Sequence, residues 1–119
     1  MEIKAHQIND KDIAEVISNE VVIGNEQEAL DLLGNIYYQG FDNLIIHEKN
    51  ITSDFFNLKN KMAGEILQKF SNYRVNLAIV VDVRKFTSKS LQDFIYESNK
   101  GKRINFLSST DEALTVLSS

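Results

Sequence analysis

Two apolar runs stand out from the polar chain around them: Leu44-Ile45-Ile46, which stops at His47-Glu48-Lys49-Asn50, and Leu77-Ala78-Ile79-Val80-Val81, which stops at Asp82. Between them Phe55, Leu58, Met62, Ile66 and Phe70 recur at the three-to-four spacing of one helix face, with Ser53 or Asp54 placed to cap its start and Asn72 to end it. Unbroken apolar runs of this length suit strands buried on both faces. Strand, helix and strand in that order predict a parallel pair joined by a crossover.

The pattern extends in both directions. Residues 3–8 and 13–17 read as short strands around Asn9-Asp10-Lys11-Asp12, whose residue types favour a turn, so the chain opens with a hairpin. Val21-Val22-Ile23 is a brief apolar run that reads as a continuation of the second strand, before Gly24 breaks the chain. Asn25 with Glu28 forms a capping pattern, and Leu30, Leu33, Ile36 and Tyr37 supply the apolar face of the helix that follows, ended by Gly40. The central strands span 41–47 and 75–81. Gly64 allows close approach of the intervening helix to the sheet.

Thr87 or Ser88 caps a helix carrying Leu91, Phe94 and Ile95, with Gly101 at its end; residues 104–107 form the last strand. Ser109 with Glu112 repeats the capping box ahead of Ala113, Leu114 and Leu117. The order ββαβαβαβα predicts an α/β fold: one domain over 1–119, with a mixed, mostly parallel sheet, an N-terminal hairpin and crossover helices.

Composition narrows the function classes. A chain of 119 residues has room for one core and needs no covalent staple. The absence of cysteine excludes disulfides, thiol nucleophiles and thiolate metal sites. Thirteen basic against seventeen acidic residues, net −4, argue against a nucleic-acid partner, because backbone binding needs a basic face. No run approaches the roughly 20 apolar residues of a membrane span, and the first residues lack the apolar core of a secretory leader. No membrane partner is expected, and the simplest location is cytoplasmic. The five glycines match neither dinucleotide nor P-loop spacing. The only histidines, His6 and His47, fall on separate strands, so neither a cofactor nor a zinc site is expected, while carboxylate-only magnesium sites stay open.

The element order resembles the small STAS-type domain of bacterial anti-anti-sigma factors. At the level of sequence, Tyr37-Tyr38-Gln39-Gly40, Ile45-Ile46-His47-Glu48-Lys49-Asn50-Ile51-Thr52, Asp54-Phe55-Phe56, the stretch 63–74 and the stretch 93–101 resemble an uncharacterised bacterial family, domain of unknown function 4180. That resemblance implies a small bacterial cytosolic protein with no assigned activity. In STAS-type phospho-switches an Asp-Ser pair follows the third strand and its Ser opens a helix, where a phosphate meets the helix N-terminus. Here the matching stretch is Thr52-Ser53-Asp54, so only Ser53 carries over, and bulky Phe55 and Phe56 replace the usual small residues.

Ligands of open α/β sheets bind beyond the carboxyl ends of the strands. That edge gathers His47, Glu48, Asn50, Ser53, Asp82, Arg84 and Lys85 as the candidate ligand or partner residues. Histidine as a residue type titrates near neutral pH and a carboxylate such as Glu48 can fix the tautomer of His47, yet adjacent strand residues point to opposite faces. Asp82 either serves a site or accepts hydrogen bonds from its own turn and Arg84. Arg84, Lys85 and Lys89 flank a helix start, which attracts anions, but no glycine in that loop lets a backbone wrap a phosphate. Tyr37 and Tyr38 lie about 100° apart on a helix, so one of them points outward; Tyr38, Phe41 and Phe55 are the candidate interface.

No complete nucleophile–base–orienter set is present. Two readings follow. One is a small non-catalytic binding or regulatory module with a protein partner or a self-association surface. The other is a small hydrolase or ligand-binding enzyme using His47, Glu48 and Asp82.

Overall fold

Asn9 and Asp10 both adopt left-handed backbone, φ 53° and 65°, a conformation these two residue types tolerate well. They close a two-residue turn whose twist suits a hairpin. In the computed structural model, which describes residues 1–119, the turn joins β1 (Glu2–Ile8) to an antiparallel β2 (Lys11–Ile17). The predicted four-residue turn is thus two residues long, and Lys11 and Asp12 belong to the strand. The remaining elements are α1 (Glu26–Tyr38), β3 (Asn43–His47), α2 (Met62–Asn72), β4 (Asn76–Val80), α3 (Lys89–Lys100), β5 (Ile104–Leu107) and α4 (Thr110–Ser118).

The sheet order is β1-β2-β3-β4-β5, with every pair after the hairpin parallel. Leu44 lies beside Leu77 and Ile46 beside Ile79, so the two apolar runs are neighbours running in the same direction. Three crossovers advance one way across the sheet and place α1, α2 and α3 on one face. There Ala14, Leu44, Ile46, Leu77, Ile79 and Phe106 meet Leu33, Ile36, Ile66, Phe70 and Ile95 in the main core. The opposite face is covered by α4 alone, through Ala113 and Leu117 on Ile13, Ile45 and Ala78. One helix cannot roof five strands, and the upper part of β1–β3 on this face carries polar side chains instead.

Three local expectations are corrected. The helix predicted from Ser53 begins at Met62; residues 53–60 form two 3₁₀ turns, Ser53–Phe56 and Leu58–Asn60. Asn57 Oδ1 accepts from Lys59 N, Asn60 Oδ1 accepts from Met62 N, and Asn60 Nδ2 donates to the Asp54 carbonyl. Asparagine side chains compete in this way with the helical ladder. Lys61, at φ 61°, then makes the break. In α1 the buried stripe is Ala29, Leu32, Leu33 and Ile36 rather than Leu30, Leu33, Ile36 and Tyr37, so Tyr37 as well as Tyr38 faces outward. Val21–Ile23 does not extend β2; Ile23 makes a single parallel bridge to Ile51.

One capping box forms in full and the other by half: Ser109 Oγ accepts from Glu112 N at 3.1 Å, but the Glu112 carboxylate accepts from the Ser108 hydroxyl instead of a backbone N–H. In the full box Asn25 Oδ1 accepts from Glu28 N at 2.8 Å, while Glu28 Oε1 accepts from Gly24 N at 2.8 Å. A Cβ on Gly24 would lie 2.5 Å from that Glu28 oxygen, which explains the glycine.

Candidate functional site

The strand order shows no reversal, so the sheet has no switch point where diverging loops open a crevice. The residues predicted at the carboxyl edge accordingly divide among separate partners. Glu48, in a 3₁₀ turn after β3, forms an ion pair with Lys85, in the turn after β4. Asp82 caps that second turn: its Oδ1 accepts from Arg84 N at 3.1 Å and from Arg84 Nε at 3.0 Å. The Arg84 side chain, then its backbone N–H, hold the Asp82 carboxyl below its usual range. Both groups are exposed, and the pair is a surface feature.

Asn50 is fully buried, and its Nδ2 donates to the Ser18 and Glu20 carbonyls, both at 2.9 Å. It straps the β2–α1 connection against β3 and faces no ligand edge. Its Oδ1 has no partner.

Glu48, Ser53 and Lys85 do meet, along a shallow groove of about 480 Å³ that also takes in Phe56 and Phe86. Phe56 stacks on Phe86 with centroids 5.0 Å apart and planes 25° apart, and meets Phe55 edge-on at 5.1 Å. Of the predicted interface residues, Tyr38 is 92% exposed. Phe41 is half-buried against the core. Phe55 is 2% exposed and is a core residue, so it offers no area to a partner.

His47 belongs elsewhere. Side chains alternate along β3, so His47 shares the α4-side face with Ile45. There its Nε2 lies 2.8 Å from Oε2 of Glu15, while Nε2 of His6 lies 2.8 Å from Oε1 of the same carboxylate. Strand pairing explains the meeting. Glu15 sits beside Ile45, and His47 is two residues on; across the hairpin, His6 pairs with Ile13, two residues back. Glu15 is 6% exposed, and a carboxylate so buried is stable only when paired. Burial alone would raise its pKa, but the hydrogen bonds and positive charge of His47 and His6 outweigh it, and the carboxyl titrates below its ordinary 4.5.

An ionised carboxylate only accepts, so the network assigns the proton to Nε2 of both imidazoles. Neither Nδ1 has a protein partner, and both reach solvent, since the one buried unpartnered side-chain polar atom is Asn50 Oδ1. No group of three His, Cys, Asp or Glu side chains is arranged to hold a metal; here each Nε2 is directed at its own carboxylate oxygen.

His47, Glu48 and Asp82 thus have three different partners, Glu15, Lys85 and Arg84, and are not joined in one hydrogen-bonded set. Glu15 is not among the candidates that the sequence offers, and His6 and His47 enter there only as histidines on separate strands. The available signal was a lone carboxylate between Ile13 and Ile17 in a strand buried on both faces, two residues along from the position opposite His6 in the hairpin.

No curated protein and no solved structure matches this chain. A family model described as a domain of unknown function (DUF4180) matches residues 8–117, nearly the whole domain, and the chain belongs to that family.

Proposed function

We propose that this chain is a bacterial cytosolic, non-catalytic binding or regulatory module that docks a protein partner over the groove at the ends of β3 and β4. The observation that carries this reading is the stacked Phe56–Phe86 pair. Two partly buried aromatic rings lie side by side there, flanked by the Glu48–Lys85 ion pair, with Lys85 Nζ 5.5 Å from the Phe86 ring centroid. Aromatic area ringed by charge is the composition of a protein-docking patch. The separation of His47, Glu48 and Asp82 supports a binding role over acid–base chemistry, which requires groups within hydrogen-bond reach of one another. The STAS-like element order supports the regulatory reading by analogy alone.

The test is affinity capture from native cells with the intact chain, set against Phe86→Asp and Tyr38→Ala. A partner bound in simple stoichiometry by the parent and by Tyr38→Ala, and lost by a folded Phe86→Asp, supports the groove. Capture that survives Phe86→Asp, or no specific capture at all, removes the reading.

A further inference from the structure

Beside His47, on the face that α4 leaves open, lies a second cavity of about 280 Å³, lined by Val16, Ile17, Ser18, Asn19, His47 and Lys49. Its hydrogen-bonding inventory is one-sided. Lys49 Nζ uses one donor on Asn19 Oδ1 at 3.2 Å, which leaves its charge and two donors free. Asn19 keeps its amide N–H groups. The Ser18 oxygen accepts from Glu20 N at 3.1 Å, so its hydroxyl proton is free to donate. His47 presents this side of the molecule with Nδ1 unpartnered, because Nε2 is held by Glu15. Once protonated, that nitrogen becomes a fourth donor. A cavity rich in donors and poor in acceptors fits a ligand rich in acceptors, and half-exposed Ile17 offers it an apolar wall.

We propose that this cavity binds a small oxyanion, a carboxylate or a phosphate carrying at most a short apolar group, through Lys49, Asn19, Ser18 and the protonated form of His47. Glu15 acts as a positioning residue. It fixes the imidazole orientation and balances its charge, so that proton uptake at Nδ1 breaks no existing bond. His6, on the other oxygen of Glu15, lies outside the cavity.

The charged groups around His47 are Glu15 and His6, Lys4 directly across from Glu15, Glu2 directly across from Ile17, Lys49, Glu20 next to Asn19, and Glu48, which is turned to Lys85. α4 meets this face through Ala113, Leu114 and Leu117, which carry no charge. Binding is therefore coupled to protonation of a histidine, the side chain that changes charge between about pH 5 and 8. The inference does not rest on the Phe56–Phe86 groove, and each can fail without the other.

The experiment is an NMR titration of the whole chain, following backbone amides and imidazole side chains, with acetate, butyrate and inorganic phosphate as probes. Acetate keeps one charge across the range, so its pH dependence reports on the protein. The expected result is saturable shifts confined to Ser18, Asn19, His47 and Lys49, with acetate bound at least about tenfold more tightly at about pH 5.5 than at about pH 8. His47→Gln abolishes that pH dependence, and Lys49→Ala weakens binding by about tenfold at both pH values. His6→Gln, which disturbs the same carboxylate from outside the cavity, leaves acetate affinity within about threefold. Butyrate bound more tightly than acetate supports the Ile17 wall, and equal binding of the two removes it. No saturable shift, or a pH dependence retained in folded His47→Gln, overturns the proposal. So does stoichiometric zinc uptake by His6, Glu15 and His47 that displaces acetate. Should His47→Gln not fold, Lys49→Ala and Asn19→Ala decide, and anion affinity unchanged in both is fatal.

Discussion

Glu15 and His47 lie on neighbouring parallel strands, 32 residues apart in the chain, and meet at 2.8 Å between carboxylate and imidazole on the face of the sheet that only one helix covers. This contact, with its mirror to His6, makes Glu15 the junction of β1, β2 and β3. A carboxylate at 6% exposure with both oxygens occupied contributes to stability only while its partners remain. Removing it leaves two imidazole N–H groups without acceptors. Glu15→Ala is expected to cost about 3 kcal/mol in urea unfolding. Glu15→Gln, which keeps one acceptor oxygen, is expected to cost about 1–2 kcal/mol. A Glu15→Ala cost within about 0.5 kcal/mol of zero would show that the junction is not structural.

The same residue sets an acid limb. The Glu15 carboxyl titrates below 4.5 in the folded chain, so the unfolded chain binds its proton first as pH falls. The stability this provides is fully present above the unfolded value and disappears as pH drops through the folded one. Urea midpoints for the parent should therefore fall below about pH 4.5 more steeply than those of Glu15→Gln. Parallel curves for the two proteins would contradict the assignment.

Phe55 and Tyr38 separate core from surface. Both are aromatic residues flagged by the sequence as an interface, yet one is 2% and the other 92% exposed. Phe55→Ala is expected to destabilise by about 3–5 kcal/mol, and Tyr38→Ala by no more than about 0.5 kcal/mol. Thermal or urea unfolding of the two variants checks the contrast, and comparable costs would refute it.

What the sequence revealed and what it hid follows from how far apart the interacting positions lie. The parallel pairing of 44–46 with 77–81, and the Asn25 and Ser109 caps, depend on local pattern or on runs so apolar that two-sided burial is the consistent solution. The start of α2 was hidden because Phe55 and Leu58 keep helical spacing while Asn57 and Asn60 divert the backbone into 3₁₀ turns. Tyr37 was misplaced because Leu33, Ile36 and Tyr37 fit a helix stripe as well as Ala29, Leu32, Leu33 and Ile36 do, and alanine carries little hydropathy signal. The His6–Glu15–His47 junction depends on two registers at once, the hairpin and the β2–β3 crossover pairing. Only the first is readable from a turn. A sheet ordered 1-2-3-4-5 also has no switch point, so nothing gathers the residues of its carboxyl edge into one crevice.

Asn50 predicts a local effect. Its amide bridges the Ser18 and Glu20 carbonyls, and the Asn50 carbonyl accepts from Val22 and Ile23 N at 2.7 and 2.9 Å. Asn50→Ala removes the two side-chain bonds and leaves the backbone ones. The expected cost is about 2 kcal/mol, with amide exchange accelerated around residues 18–23 and unchanged in α3. Uniform acceleration across the chain would mean that the strap holds the whole fold rather than one connection.

Gly24 and Glu28 offer the sharpest test of a local rule. Gly24 has no positive φ, so conformational freedom does not explain it. Its neighbour does: a Cβ would sit 2.5 Å from Glu28 Oε1, the oxygen that accepts from Gly24 N. That oxygen ends a flexible side chain, so Gly24→Ala should turn Glu28 aside rather than shift backbone, losing one cap bond at about 1 kcal/mol. If so, Glu28→Ala should cost a similar amount, and the double variant little more than either single one. Such a cycle shows a coupling energy of about 0.5–1 kcal/mol. Strictly additive losses would mean that Gly24 answers to Val21, whose side chain is the other one near that Cβ, and not to the cap.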